Sequence, residues 1–221
     1  MSWVNSSIVS MIRIMPRWFI HPFARTYVAG ESIEETVPVV KKVNDRGFTC
    51  TLDILGEHVQ SAAAAENITR EYCDLYDVIA TENMNCNISI KLTHIGLALD
   101  KNIAVKNLVQ ILKQAKLHNN FCRIDMENSP YTQQTIDLYK NCISDYPNMG
   151  IVLQAYLKRS LEDARDLNRT GFNTRVCKGI YDERETIALK DRAVIQDNFF
   201  NITKEILSGN GFAAIATHDI P

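Results

Sequence analysis

From Ser32 onward the sequence alternates short strand-like runs with longer helix-like runs, six times over. A brief β-branched, apolar run followed by apolar residues at helical spacing is the mark of a strand and its crossover helix. Repeated in this way, it constrains the chain to a parallel sheet with right-handed crossovers. The strand-like runs are Phe48–Ile54, Asn87–Thr93, the first part of Phe121–Ser129, Gly150–Tyr156, Thr174–Gly179 and Gly211–Thr217. Helices are expected from Ser32 to near Gly47, from about Ser61 to Asn83, after Asp100, and from Ser129 to before Pro147. Two more are expected from Ser160 to Gly171 and from Asp182 to Leu207. Ser32-x-x-Glu35 reads as a capping box, as do Ser160-x-x-Asp163 and Asp182-x-x-Glu185 in weaker form. Ser129 followed by Pro130 reads as an N-cap and a first helical residue.

Every strand-like run ends polar: Asp53, Lys91, Asp125, Gln154, Arg175 with Lys178, and Thr217 with His218. Parallel α/β sheets carry their ligand sites at the carboxyl ends of the strands, so six polar ends in register form a site signature. The third run is the most demanding. Arg123, Asp125 and Glu127 alternate with Cys122, Ile124 and Met126, which puts three charges on one face of an apolar strand. Such charges are costly unless paired or at work. No G-x-G-x-x-G follows an early strand, which weighs against an open dinucleotide-binding sheet. The polar ends suit a (βα)8 TIM-type barrel, which ordinarily takes about 250 residues. With 221 residues the chain is expected to supply about six of the eight strands, an incomplete barrel.

Composition narrows the function. A net charge of −2, with 24 basic and 26 acidic residues, provides no footprint for nucleic acid. The six cysteines show no C-x-x-C spacing and read as reduced thiols of an intracellular protein. No histidine or carboxylate spacing resembles a metal site. Residues 1–30 contain Arg13, Arg17 and Arg25 and no acid, and their aromatic and aliphatic residues are scattered. They are too broken for a signal peptide or a membrane span. They suit a helix covering one end of the domain, a helix resting on a membrane surface, or an organelle transit peptide. The expected division is a basic helical segment over 1–30 and a βα-barrel domain over 31–221.

Seven motifs resemble proline dehydrogenase, in that family's order. They are Tyr27-Val-Ala-Gly-Glu31, Leu52-Asp-Ile-Leu-Gly-Glu57, Ile90-Lys-Leu-Thr93, Arg123-Ile-Asp-Met-Glu-Asn-Ser129, Ile151-Val-Leu-Gln-Ala-Tyr-Leu157, Arg175-Val-Cys-Lys-Gly-Ile-Tyr181 and Ala216-Thr-His-Asp219. The resemblance runs from about Phe23 to the end. It implies a barrel flavoenzyme that oxidises L-proline to 1-pyrroline-5-carboxylate, passing hydride from proline C5 to FAD N5 and electrons on to a membrane quinone. With the reduced cysteines and the basic N-terminal stretch, the expected location is cytoplasmic, with peripheral contact at the inner face of the membrane and an organelle matrix as the alternative.

Position by position, the resemblance makes Lys91 the partner of the proline carboxylate and Asp125 the active-site aspartate that pairs with a cation. Arg175 becomes the fixed positive charge beside the flavin, a preorganised electrostatic role. Met126 would touch the flavin, and the Gln154 amide would read the edge of its ring system. Lys178, Gly179 and Ile180 fall where the family contacts FAD, with Gly179 permitting close backbone approach. Many relatives carry alanine in place of Ile180. Thr217 and His218 match the pair that meets the cofactor's ribose, phosphate or adenine. Asp53, Glu57 and His58 form a second polar set, of which Glu57 reads as structural. The family closes its barrel with two further strands and a helix carrying Tyr-x-x-Arg-Arg. The sequence ends at Asp219-Ile-Pro221 before that element, so the chain alone is expected to oxidise proline little or not at all. Two other readings stay open: a flavin-holding remnant without activity, and a barrel enzyme using Lys91 or Lys178 as a Schiff-base amine.

Overall fold

A computed structural model describes residues 28–168 and 171–219. The expected N-terminal basic segment, and Tyr27 of the first motif, lie outside the described residues apart from the last few positions. The elements are α1 (Ile33–Asn44), β1 (Cys50–Leu52), α2 (Ala62–Thr81), β2 (Cys86–Ile90), α3 (Lys101–Leu117), β3 (Cys122–Ile124), α4 (Ser129–Cys142), β4 (Met149–Gln154), α5 (Ser160–Asn168), β5 (Asn173–Cys177), α6 (Arg192–Ser208) and β6 (Phe212–Ile215). No helix among the described residues is long and apolar enough to cross a membrane.

The residues group into two compact units, one running to Cys50 with Thr81–Cys86, the other Thr51–Ala80 with Asn87 onward. In the first, Ser32 caps α1 by accepting from the Glu35 N–H at 3.4 Å. Glu35 reaches back to the Glu31 N–H, one residue before the position a standard capping box uses. Glu34 and Glu35 in the first turn and Lys41 and Lys42 in the last complement the helix dipole. The Asn44 amide then ties the helix end to two backbones, donating to Phe48 O at 2.9 Å and Asn85 O at 3.0 Å.

The second unit carries the sheet, whose strands stand in chain order, β1-β2-β3-β4-β5-β6. The pairs from β2 through β6 are parallel, with Ile90 beside Ile124, Ile124 beside Ile151, and Ile151 beside Thr174. All six residues of β4 are buried, as befits a strand covered on both faces. Tyr72, Leu108, Ile111, Ile136, Tyr139 and Ile202 bring the inner faces of α2, α3, α4 and α6 into that core. Six parallel βα units in sequential order make the barrel-type fold that the alternation predicts.

Three boundaries differ from expectation, each for a visible reason. The cap of α4 is Asn128, not Ser129, because the Ser129 N–H and hydroxyl both bond the Glu183 carboxylate, at 2.6 and 2.8 Å. Ser160 is the first residue of α5 and donates its hydroxyl to Gln154 O at 2.6 Å, while Asp163 binds Arg159. The sixth helix starts at Arg192, capped by Asp191, rather than at Asp182. The residues before it instead fold against the end of β4. There Leu157 bridges Ala188, and the Leu189 N–H donates to Tyr156 O at 2.7 Å. Ile187 and Ile195 pack on the small apolar cluster this makes.

Candidate active site

The three charges of the third strand find three separate partners. Arg123 lies buried over Gly150, donating to Ile151 O at 3.2 Å and to Asn173 at 2.8 Å. A Cβ at position 150 would sit 3.0 Å from that guanidinium, so the glycine makes room for the arginine. Burial, then repulsion from Arg175, pulls the Arg123 pKa down to about 10. Glu127, fully buried, accepts from the Thr93 N–H at 3.0 Å and from the Thr93 hydroxyl. Asp125 is the member that enters the strand-end site.

Asp125 lies just past the last ladder residue of β3, and its N–H is still held by Ile90 O at 2.8 Å. Its carboxylate accepts from the Ser89 hydroxyl on β2 and from the Arg175 guanidinium on β5. Arg175 lies inside β5, not at its tip, and its side chain reaches back to Asp125 with Ser89 Oγ 3.4 Å away. On the other side Asp125 Oδ2 stands 3.9 Å from the Lys91 ammonium, which is ion-paired with Asp53. The Tyr72 hydroxyl, buried on α2, donates to Asp53 at 3.2 Å. The result is an alternating chain, Asp53–Lys91–Asp125–Arg175, contributed by the ends of β1, β2 and β3 and the body of β5. Two carboxylates balance two cations.

These side chains are 16–27% exposed, enough to meet a ligand and too little for water to screen them fully. Burial raises the Asp53 pKa, and the Asp125 charge adds to it, against the pull of Lys91. For Lys91 burial works downward, but the hydrogen bond and charge of Asp53, with Asp125 and Glu57 behind them, outweigh it and hold the ammonium. The two shifts look inconsistent for a simple pair. They agree because burial of the Asp53 carboxylate, the largest influence on it, outweighs the pull of Lys91, with Asp125 adding a smaller push in the same direction. His94, buried nearby, is pushed below its usual range chiefly by burial.

Gln154 extends the site. Its Nε2 donates to Met126 O at 3.0 Å, and its buried Oε1 has no hydrogen-bond partner among the described residues. A buried amide oxygen left unsatisfied is a standing acceptor. Met126, 4% exposed, thus offers Gln154 its carbonyl.

The remaining expected residues gather at the tips of β5 and β6. Lys178 pairs with Asp219, which also takes Arg192 at 3.3 Å and bonds its own N–H to Thr217 Oγ1 at 3.1 Å. Thr217 and His218 are exposed, and Ile180 is 88% exposed. Gly179 has φ +106°, and a Cβ there would collide with the Tyr156 ring, so the chain itself requires this glycine. Among the described residues, no hydrogen bond or ion pair joins this group to the Asp53–Arg175 chain.

Sequence reasoning missed Ser89 and Tyr72 as holders of Asp125 and Asp53. Ser89 carried a usable signal, because it shares a strand face with Lys91 two residues on. Tyr72 carried none beyond helical spacing. A third polar group, Glu57, His58 and Glu127, also comes together, from stretches far apart in sequence.

The proline dehydrogenase family model matches residues 36–202. Proline dehydrogenase 1 of Bacillus subtilis (strain 168) is 38% identical over 197 residues, covering 89% of this chain and 65% of that protein. Proline dehydrogenase 2 of the same strain is 33% identical over 202 residues, covering 91% and 67%. The chain thus spans about two thirds of the length of these relatives. Proline utilization A (PutA) of Bdellovibrio bacteriovorus, in a crystal structure of the protein inactivated by N-propargylglycine, superimposes with a TM-score of 0.84. That match is 24% identical and covers 90% of this chain and 26% of that one, so it speaks for the fold. PutA of Corynebacterium freiburgense gives 0.79 at 19% identity, covering 90% and 24%. By sequence, and with a fold to match, the chain belongs to the proline dehydrogenase family.

Proposed function

We propose that the strand-end cluster is the catalytic face for FAD-dependent oxidation of L-proline to 1-pyrroline-5-carboxylate, with a quinone as the onward acceptor. The observation that carries this reading is the chain Asp53–Lys91–Asp125–Arg175 beside the unpartnered Gln154 Oε1. Its donor and acceptor set suits both a carboxylate substrate and the edge of a flavin. Bound flavin supplies the hydride acceptor; the side chains supply position and charge.

Lys91 is the substrate anchor. Asp53 holds its ammonium, and a proline carboxylate competes with Asp53 for that charge. Asp125 takes no proton in this scheme. It fixes the Arg175 guanidinium, so that a permanent positive charge stands where negative charge builds during oxidation. Gln154, anchored through Nε2 to Met126 O, directs Oε1 as an acceptor for a ring N–H. Lys178, Thr217 and His218 are the candidates for the phosphate and adenosine end of the cofactor. The quinone rests on the family resemblance, and membrane contact rests on the basic, acid-free composition of residues 1–30.

The Schiff-base reading loses ground on Lys91. That chemistry needs an amine that gives up its proton easily, whereas Asp53 and Asp125 hold the Lys91 proton more firmly than usual. Anaerobic titration of the purified chain with proline, followed by flavin absorbance, tests the proposal. Retained yellow colour bleached by proline supports it. Colour that proline does not bleach points to the flavin-holding remnant, and borohydride trapping of a substrate carbonyl on Lys91 overturns it.

A further inference from the structure

Just after β5 the ordinary order of burial is reversed. Ile180 is 88% exposed, Asp182, Arg184 and Glu185 are exposed, and the side chain turned inward is an acid, Glu183, at 9%. Apolar side chains usually take the inner place and carboxylates the outer one. Burying a carboxylate costs free energy that specific partners must offset. Here the partner is the start of α4. The Ser129 N–H donates to Glu183 Oε1 at 2.6 Å, and the Ser129 hydroxyl donates to Oε2 at 2.8 Å. Asn128, the residue in the N-cap position, makes no capping bond with its own side chain. Glu183 therefore caps the helix from 54 residues further along the chain, where the helix dipole also favours a negative charge.

We infer that Glu183 is a positioning residue, a clasp that holds residues 179–183 as a strap over the strand ends and keeps Lys178, Gly179 and Ile180 in place for the flavin. The ligand in this inference rests on the proposed function; the clasp does not. Three contacts fix the strap. At its start the Tyr156 N–H donates to Lys178 O at 2.8 Å, and Gly179 lies against the Tyr156 ring. Midway, the Tyr181 hydroxyl donates to Glu57 Oε1, on the loop after β1, at 2.6 Å. At its end Glu183 grips α4, the helix that follows β3. The segment thus leaves the tip of β5 and touches elements that follow β4, β1 and β3, around the cluster of Asp53, Lys91, Asp125 and Arg175. Burial first, then the bond and charge of Glu57, push the Tyr181 hydroxyl above its ordinary range, with Glu127 and Asp125 adding to the rise. The strap therefore stands within the field of that cluster. The Tyr181 bond is exposed to water, whereas the Glu183 bonds are sheltered and made to a charged acceptor, so they weigh more in where the strap lies.

The test is hydrogen–deuterium exchange of the ligand-free chain, read by mass spectrometry, with FAD affinity measured by equilibrium dialysis. Glu183→Ala should speed exchange across residues 179–183 and weaken FAD binding, each by about tenfold, the scale of one hydrogen bond to a charged group. Glu183→Gln should restore both, because its Oε1 accepts the Ser129 N–H and its Nε2 donates to the Ser129 hydroxyl. Ser129→Ala, which keeps the N–H, should have a smaller effect, and should add little when combined with Glu183→Ala. Circular dichroism establishes that the variants are folded. Unchanged exchange in folded Glu183→Ala overturns the clasp. Faster exchange with unchanged FAD affinity, or a Glu183→Gln chain as defective as Glu183→Ala, overturns the positioning role. If the unsubstituted chain takes up no FAD, the proposed function fails, and exchange alone decides the clasp.

Discussion

The carboxyl ends of β2–β4 and those of β5–β6 carry similar residue types and treat them differently. Around β2–β4 the strands are largely buried, and the strand-end side chains are bound to other parts of the chain: Lys91 to Asp53, Asp125 to Ser89 and Arg175, and the Gln154 Nε2 to Met126. Around β6 no strand residue is buried, Phe212 and Ile215 are about 60% exposed, and His218 and Ile180 face water. The first region acquires its geometry in folding, before any ligand arrives. The second leaves Thr217, His218 and Ile180 exposed beside the Lys178–Asp219 pair.

The largest effect should come from cutting the inner lattice. Arg175→Met leaves Asp125 short of its main cation. Breaking a buried pair costs about 3–5 kcal/mol, and the 27% and 17% exposure of the two side chains reduces this to about 2–3. In a chain of this size the unfolding midpoint then falls by about 5–10 °C, measured by calorimetry. A drop under about 1 °C would mean that the lattice contributes no stability. Ser89→Ala removes one hydroxyl donor to the same carboxylate and should cost about 1–2 kcal/mol in urea unfolding.

A smaller effect separates the lattice by pH. The Lys91 pKa is raised above its ordinary 10.5, so its contribution is complete below that value and is lost as pH climbs through the higher folded value. Lys91→Met should lower stability at neutral pH and flatten the alkaline limb of a stability–pH profile. An alkaline limb identical to that of the unsubstituted chain would sink the assignment. The smallest effect belongs to the outer region. Ile180→Ala should move stability by less than about 0.5 kcal/mol while changing flavin affinity, a split that equilibrium dialysis and urea unfolding together reveal.

The alternation of runs made the sheet legible, because period and composition act locally and survive tertiary packing. The polar strand ends pointed to a candidate site for the same reason, and Lys91, Asp125 and Arg175 do meet. What stayed hidden depended on partners distant in sequence. Asp182-x-x-Glu185 has the form of a helix start, yet Glu183 bonds Ser129 and Ile187 packs on the end of β4, so the helix begins later. Arg123 stood out only as one of three charges in need of a partner, and it is a buried brace over Gly150. Nothing local distinguishes an arginine that serves chemistry from one that serves packing. Gly179 was read as permitting close backbone approach of a cofactor, and the structure adds a second demand for glycine there, because a Cβ would meet the Tyr156 ring.

Strand order equal to chain order has a consequence for how the molecule comes into being. Each strand pairs with the one synthesised just before it, so none must wait for a later segment to find its neighbour. Loop closure at every step spans one helix and its turns rather than half the chain, which keeps its entropic cost low. Assembly can therefore advance from the N-terminal side as the chain emerges, one βα layer at a time. At each moment the growing edge is the unsatisfied part, and the hazard of wrong pairing travels with it.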